Sequence, residues 1–148
     1  MTLLQVYFSL HMIGIVIWLG AALILPLALI PALKSLEGAA QAKFLLTFTK
    51  RYIPWLIVSW VLVGVTGVLQ VIFPDLAEEM SGSQVLIVKH AFILPLIAVS
   101  TYLWFFLAKK LGQPKGERTK FMQQFVGFSW LQALLSVAVL ILTGILTG

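Results

Sequence analysis

The sequence predicts an all-α integral membrane protein, a four-helix transmembrane bundle with both termini on the outer side (N-out, C-out). Three observations carry that expectation. Of the 148 residues, 61% are apolar and only 10% are charged, whereas soluble domains carry roughly a quarter charged residues. The charges fall into three clusters, Lys34 to Arg51, Asp75 to Lys89 and Lys109 to Lys120, which leave charge-free stretches at 1–33, 52–74, 90–108 and 121–148. Each stretch reaches the roughly 20 residues that cross a bilayer at about 1.5 Å per residue. The third observation is where the basic residues lie. Lys34, Lys43, Lys50 and Arg51 fall between the first two spans, and Lys109, Lys110, Lys115, Arg118 and Lys120 between the last two. The middle connection has no Lys or Arg until Lys89. Excess Lys and Arg mark cytoplasmic loops, so connections 1–2 and 3–4 are expected inside.

The spans are expected at about 3–33, 52–73, 84–108 and 121–148, forming one domain over 1–148. The first is long enough to tilt, and Pro26 and Pro31 remove ladder donors from it. It has no basic leader, and its apolar run is about twice a signal-peptide core, so it is expected to stay as an anchor. In the second span Gly64 and Gly67, one turn apart, point to close helix packing. Pro95 is expected to bend the third. Trp55, Trp60, Tyr102 and Trp104 suit the membrane interface, where amphipathic rings collect. The lipid bilayer is therefore the expected surroundings.

Composition and motifs also exclude functions. The net charge of +5 does not signal nucleic acid, because the Lys and Arg sit at helix ends rather than along one basic face. Zero cysteines exclude disulfides, thiolate metal sites and iron–sulfur clusters. There is no intramembrane carboxylate, nucleophile–base pair, Gly-rich phosphate loop or HExxH, which disfavours hydrolysis and phosphoryl transfer.

The chemistry-bearing residues are the two histidines, His11 and His90. Both lie in apolar spans, where a polar ring needs a partner or a cavity. Counting from the outer end, His11 lies roughly 12 Å down the first span and His90 roughly 9 Å down the third. These spans run parallel, so the two rings are nearly level. Two imidazoles at one height across a bundle satisfy axial ligation of a b-type haem. At the same depth the second span offers Thr66 and Gly67. Gly14 and Trp18 share a helix face with His11, which suggests a gap beside the ring. Lys89 is placed to neutralise haem propionates, to pair with Asp75, Glu78 or Glu79, or to snorkel to the surface. It is also an alternative second ligand to His90. Copper competes with haem, since imidazole and thioether both suit it and Met12 and Met80 lie near the same end. The plainer reading is two separate rings hydrogen-bonded to backbone carbonyls or to Ser9, Thr66 or Ser136.

The run Leu10-His11-Met12-Ile13-Gly14-Ile15-Val16-Ile17-Trp18-Leu19-Gly20 resembles the first helix of the copper-resistance CopD family, in which a histidine is followed seven residues later by Trp-x-Gly. Arg51, Thr66-Gly67 and Leu86-Ile87-Val88-Lys89 resemble the same pattern in spans two and three. The likeness implies copper movement across the bacterial inner membrane, in a family whose chains are usually longer and work with a periplasmic partner. The first helix is also similar to that of HemJ-type protoporphyrinogen oxidases, which implies haem binding with roles for His11 and Lys89. The Leu-Pro-Arg of that family reads Leu25-Pro26-Leu27 here, so oxidase activity is not carried over with the likeness.

Three functions follow as expectations. The first is a haem b protein, ligated by His11 and His90 with Gly14, Trp18, Gly67 and Lys89 around the group, exchanging electrons with a quinone or a partner redox protein. The second is CopD-like copper transport or tolerance. The third is a small structural membrane subunit of a larger redox or transport complex, its histidines being packing groups. Homo- or hetero-oligomeric assembly is the accompanying partner expectation.

Overall fold

The computed structural model describes the backbone of residues 3–72, 83–112 and 115–147, and the side chains of 5–69, 72, 91–112 and 116–142. The chain folds as α1 (Leu3–Ile24), a π-helical turn (Leu25–Leu29), α2 (Ile30–Leu33), α3 (Gly38–Ile72), α4 (Ser83–Thr101), a second π-helical turn (Tyr102–Leu107), α5 (Ala108–Lys110) and α6 (Lys115–Thr147). These pieces join into four rods. Among the described residues, four stretches are long and apolar enough to cross a membrane, Gln5–Leu33, Gly38–Leu69, Ala91–Lys110 and Gly116–Leu142, and none is a strand. The protein is an integral membrane helix bundle.

The second rod begins at Gly38, well before the expected span start near residue 52. Charge marks where a helix leaves the bilayer, and the helix itself continues past that point. Ala39, Ala40, Ala42, Lys43, Leu45 and Leu46 are strong helix formers. Ala42, Leu45, Thr49, Tyr52, Leu56 and Ser59 recur at helical spacing and are all buried, so one stripe anchors the rod from its first turn. Where the first rod ends, the Gln41 side-chain amide donates to the Leu33 carbonyl at 2.7 Å, satisfying one of the acceptors a helix terminus leaves open.

Proline widens the first rod rather than breaking it. Pro26 and Pro31 have no N–H for the carbonyls one turn upstream, and the Ile30 N–H donates to the Leu25 carbonyl, five residues back. The third rod widens at Tyr102–Leu107, seven residues after Pro95, with the Ala108 N–H on the Leu103 carbonyl. No proline lies in that turn. Its inward residues Leu103, Trp104 and Leu107 are wholly buried, and packing holds it.

The first rod packs along the second and the third along the fourth, and the two pairs join where α1 and the first π turn meet α6. Val16, Leu94 and Leu134 are 65, 66 and 64% exposed and form part of an apolar outer shell suited to lipid. The expected interfacial aromatics divide. Trp55 and Tyr102 are exposed, whereas Trp60 is half-buried and Trp104 is buried completely. The Trp104 ring lies 4.7 Å from Tyr52 and 6.1 Å from Phe125, edge to face. It is a core residue because α3, the third rod and α6 converge on it.

Candidate functional site

His11 is half-buried on α1, and its Nδ1 lies 2.6 Å from Thr66 Oγ1 on α3. The Thr66 hydroxyl is also 2.5 Å from the Leu62 carbonyl. A carbonyl only accepts, so the hydroxyl proton goes to Leu62 and Oγ1 accepts from Nδ1–H. This fixes the neutral ring as the Nδ1–H tautomer and puts its lone pair on Nε2, the nitrogen suited to a metal. One turn earlier, the Tyr7 hydroxyl donates to the Thr66 backbone carbonyl. Two side chains of α1 therefore grip one residue of α3.

Gly14 explains how the two rods come close enough for this grip. A Cβ at Gly14 would lie 2.8 Å from Val63 Cγ2, 3.0 Å from the Ser59 carbonyl oxygen and 3.1 Å from Leu62 Cβ. The gap expected beside His11 on this face is filled by α3. The close-packing role expected of Gly64 and Gly67 falls instead on Gly14. Gly64 is exposed, and a Cβ at either Gly64 or Gly67 meets nothing within 4 Å among the described residues. Trp18, the other expected neighbour of the ring, lies about two turns deeper. Its indole N–H donates to Ser100 Oγ at 3.1 Å, and its ring meets Trp60 edge-on at 5.9 Å.

The remaining expected residues, Lys89 and His90, belong to α4, but their side chains lie outside the described residues. So does Met80. The predicted juxtaposition of His11 and His90 therefore falls outside the described part of the site. Met12 is exposed beside His11. Among the described residues, no three His, Cys, Asp or Glu side chains gather as a metal site.

A second polar layer lies deeper. Ser100 Oγ accepts from Trp18 and also from Gln132 Nε2 at 2.9 Å, linking rods one, three and four. Gln132 is wholly buried, and among the described residues its Oε1 has no hydrogen-bond partner, nor do the indole nitrogens of Trp60 and Trp104. Such groups are costly in a membrane interior and are concentrated where function or specificity needs them. The sequence reading missed Ser100 and Gln132. One signal was present, because Ser129, Gln132 and Ser136 fall on one face of the last span, and all three are buried.

The family model for CopD, copper resistance protein D, matches residues 46–146. The chain belongs to the copper resistance protein D family. The CopD match covers most of the bundle's second rod and continues through the fourth, including Thr66, Gly67, Lys89, His90 and Gln132, and it begins after the first rod that carries His11. It supports the CopD likeness seen in the sequence and gives none to the HemJ likeness. No curated protein and no solved structure matches the chain.

Proposed function

We propose that this protein handles copper as its cargo in the membrane, in copper transport or tolerance, with His11 and His90 as imidazole ligands near the outer end of the bundle. Met12 and Met80 serve as transient thioether ligands. The observation that carries this reading is the Thr66 contact to His11 Nδ1, which makes Nε2 the nitrogen with the lone pair in a chain of the CopD family. Metal-binding histidines characteristically donate their other N–H to a fixed acceptor, which sets ring orientation and raises ligand basicity. Imidazole and thioether both suit copper, and a site with few ligands releases its ion more readily than a closed cage.

The charge pattern supports an orientation with the histidine end outside and the basic connections in the cytoplasm. A b-type haem between the same imidazoles requires an open slot along the His11 face. Val63 and Ser59 occupy the α3 side of that face at Gly14, and Trp18 is engaged by Ser100, which favours a small ion over a porphyrin there.

Copper and haem content of the purified protein in lipid discs tests the proposal. Wild type is expected to bind copper stoichiometrically without a haem band, and His11→Ala and His90→Ala to lose the copper. Thr66→Val is expected to weaken binding about tenfold, the lower end of the usual loss when an outer-shell partner is removed. Unchanged copper binding in both histidine variants overturns the copper site. A low-spin b-type spectrum that depends on both histidines restores haem in its place.

A further inference from the structure

At the opposite end of the bundle from His11, α3, the end of the third rod and the start of α6 enclose an open cleft of about 340 Å³. Three of its lining side chains are cationic, Lys43, Lys50 and Arg118, and none is acidic. Lys43, Thr47 and Lys50 recur at i, i+4 and i+7, so they share one face of α3. The lining is completed by Arg118 in the first turn of α6, the positive dipole end of that helix, which favours an anion. Glu117 shares that turn but is exposed and does not line the cleft. The decisive feature is Arg118. Its Nε is buried and has no hydrogen-bond partner among the described residues. A buried guanidinium donor without an acceptor is costly, and the cost is recovered when an acceptor anion fills the site.

The rest of the lining is apolar. Ala42 and Leu111 are buried at its floor, and Leu46 is half-buried. A fixed anion site bordered by lipid-facing hydrocarbon suits an amphiphile rather than a free ion. The geometry points to a binding site for the phosphodiester headgroup of an anionic membrane phospholipid. Arg118 and the two lysines hold the phosphate oxygens, and an acyl chain runs out along the Leu46 side. Basic pockets between transmembrane helices have the chemistry to select such headgroups. This site is independent of the copper reading, since it shares no residue with it.

Lipid retention tests the inference. The full chain is reconstituted in mixed discs of equal parts phosphatidylglycerol and phosphatidylcholine, extracted, and its bound lipid counted by native mass spectrometry. Wild type is expected to retain phosphatidylglycerol selectively. Lys43→Gln, Lys50→Gln and Arg118→Gln are each expected to lower retention about fivefold, the usual effect of one basic side chain at an anionic surface. Arg118→Lys, which keeps the charge and loses the Nε donor, falls between wild type and Arg118→Gln. Lys120→Gln, exposed at the same end outside the cleft, leaves retention unchanged. Three results would overturn the site: equal retention of the two lipids, equal losses in the Lys120 and Arg118 variants, or displacement of the lipid by inorganic phosphate alone. The last identifies a free-phosphate site. The Lys50 variant keeps the test open should an Arg118 variant fail to fold, because Lys50 is exposed.

Discussion

Gly14 and Gly64 carry the same residue type on facing rods and meet opposite fates. A methyl group at Gly14 would press on Val63 Cγ2 at 2.8 Å and on the Ser59 backbone oxygen at 3.0 Å, whereas one at Gly64 meets nothing within 4 Å among the described residues. Gly14→Ala is therefore expected to destabilise the bundle by about 1–3 kcal/mol through overpacking and to loosen the His11–Thr66 contact. Gly64→Ala is expected to stabilise it by up to about 1 kcal/mol, the helix-propensity difference. Reversible unfolding in detergent measures both. Equal effects would contradict the packing described at Gly14. The depth of His11 was readable from the sequence, because rise per residue is fixed and places Thr66 at the same level. Which way each glycine faces was not readable. Helices that are apolar all round carry no stripe to set their rotation, so Gly64 and Gly67 looked like packing residues and Gly14 like a gap.

At the scale of helices, the second π-helical turn and the early start of α3 bring the aromatic core together. Trp104 sits on that turn, fully buried against Tyr52, and Trp55 is 61% exposed. Trp104→Ala is expected to cost about 3–5 kcal/mol, as large buried aromatics do, and Trp55→Ala less than about 0.5 kcal/mol, as exposed sites do. The same unfolding experiment tests the pair, and similar costs would place Trp104 outside the core. The number of rods was legible because charges are too expensive in hydrocarbon to interrupt a span. The beginning of α3 was not, because Lys43, Lys50 and Arg51 are good helix formers that mark the water boundary without ending the helix. The core position of Trp104 was equally hidden. Its indole suits an interface, and only the convergence of three rods buries it.

For the molecule as a whole, the architecture divides into a histidine end and a basic end joined by a buried polar layer at Ser100 and Gln132. The orientation proposed for it is directly testable, since the chain has no cysteine of its own. Ser35→Cys and Gly112→Cys at the basic end are expected to resist an impermeant maleimide added to intact cells and to react after lysis. Ser81→Cys is expected to react in both. Labelling of Ser35→Cys from outside would invert the topology. The CopD relationship was legible in short motifs, but the buried layer was not, because single Ser and Gln residues in a span reveal their convergence only when the rods are set side by side. The most direct test of the copper reading is X-ray absorption at the copper edge of the loaded protein. The expected spectrum shows nitrogen scatterers with the outer-shell pattern of two imidazoles, falling to one in His11→Ala and in His90→Ala. A first shell without imidazole, or a spectrum that neither substitution changes, would contradict a copper site built from the two histidines.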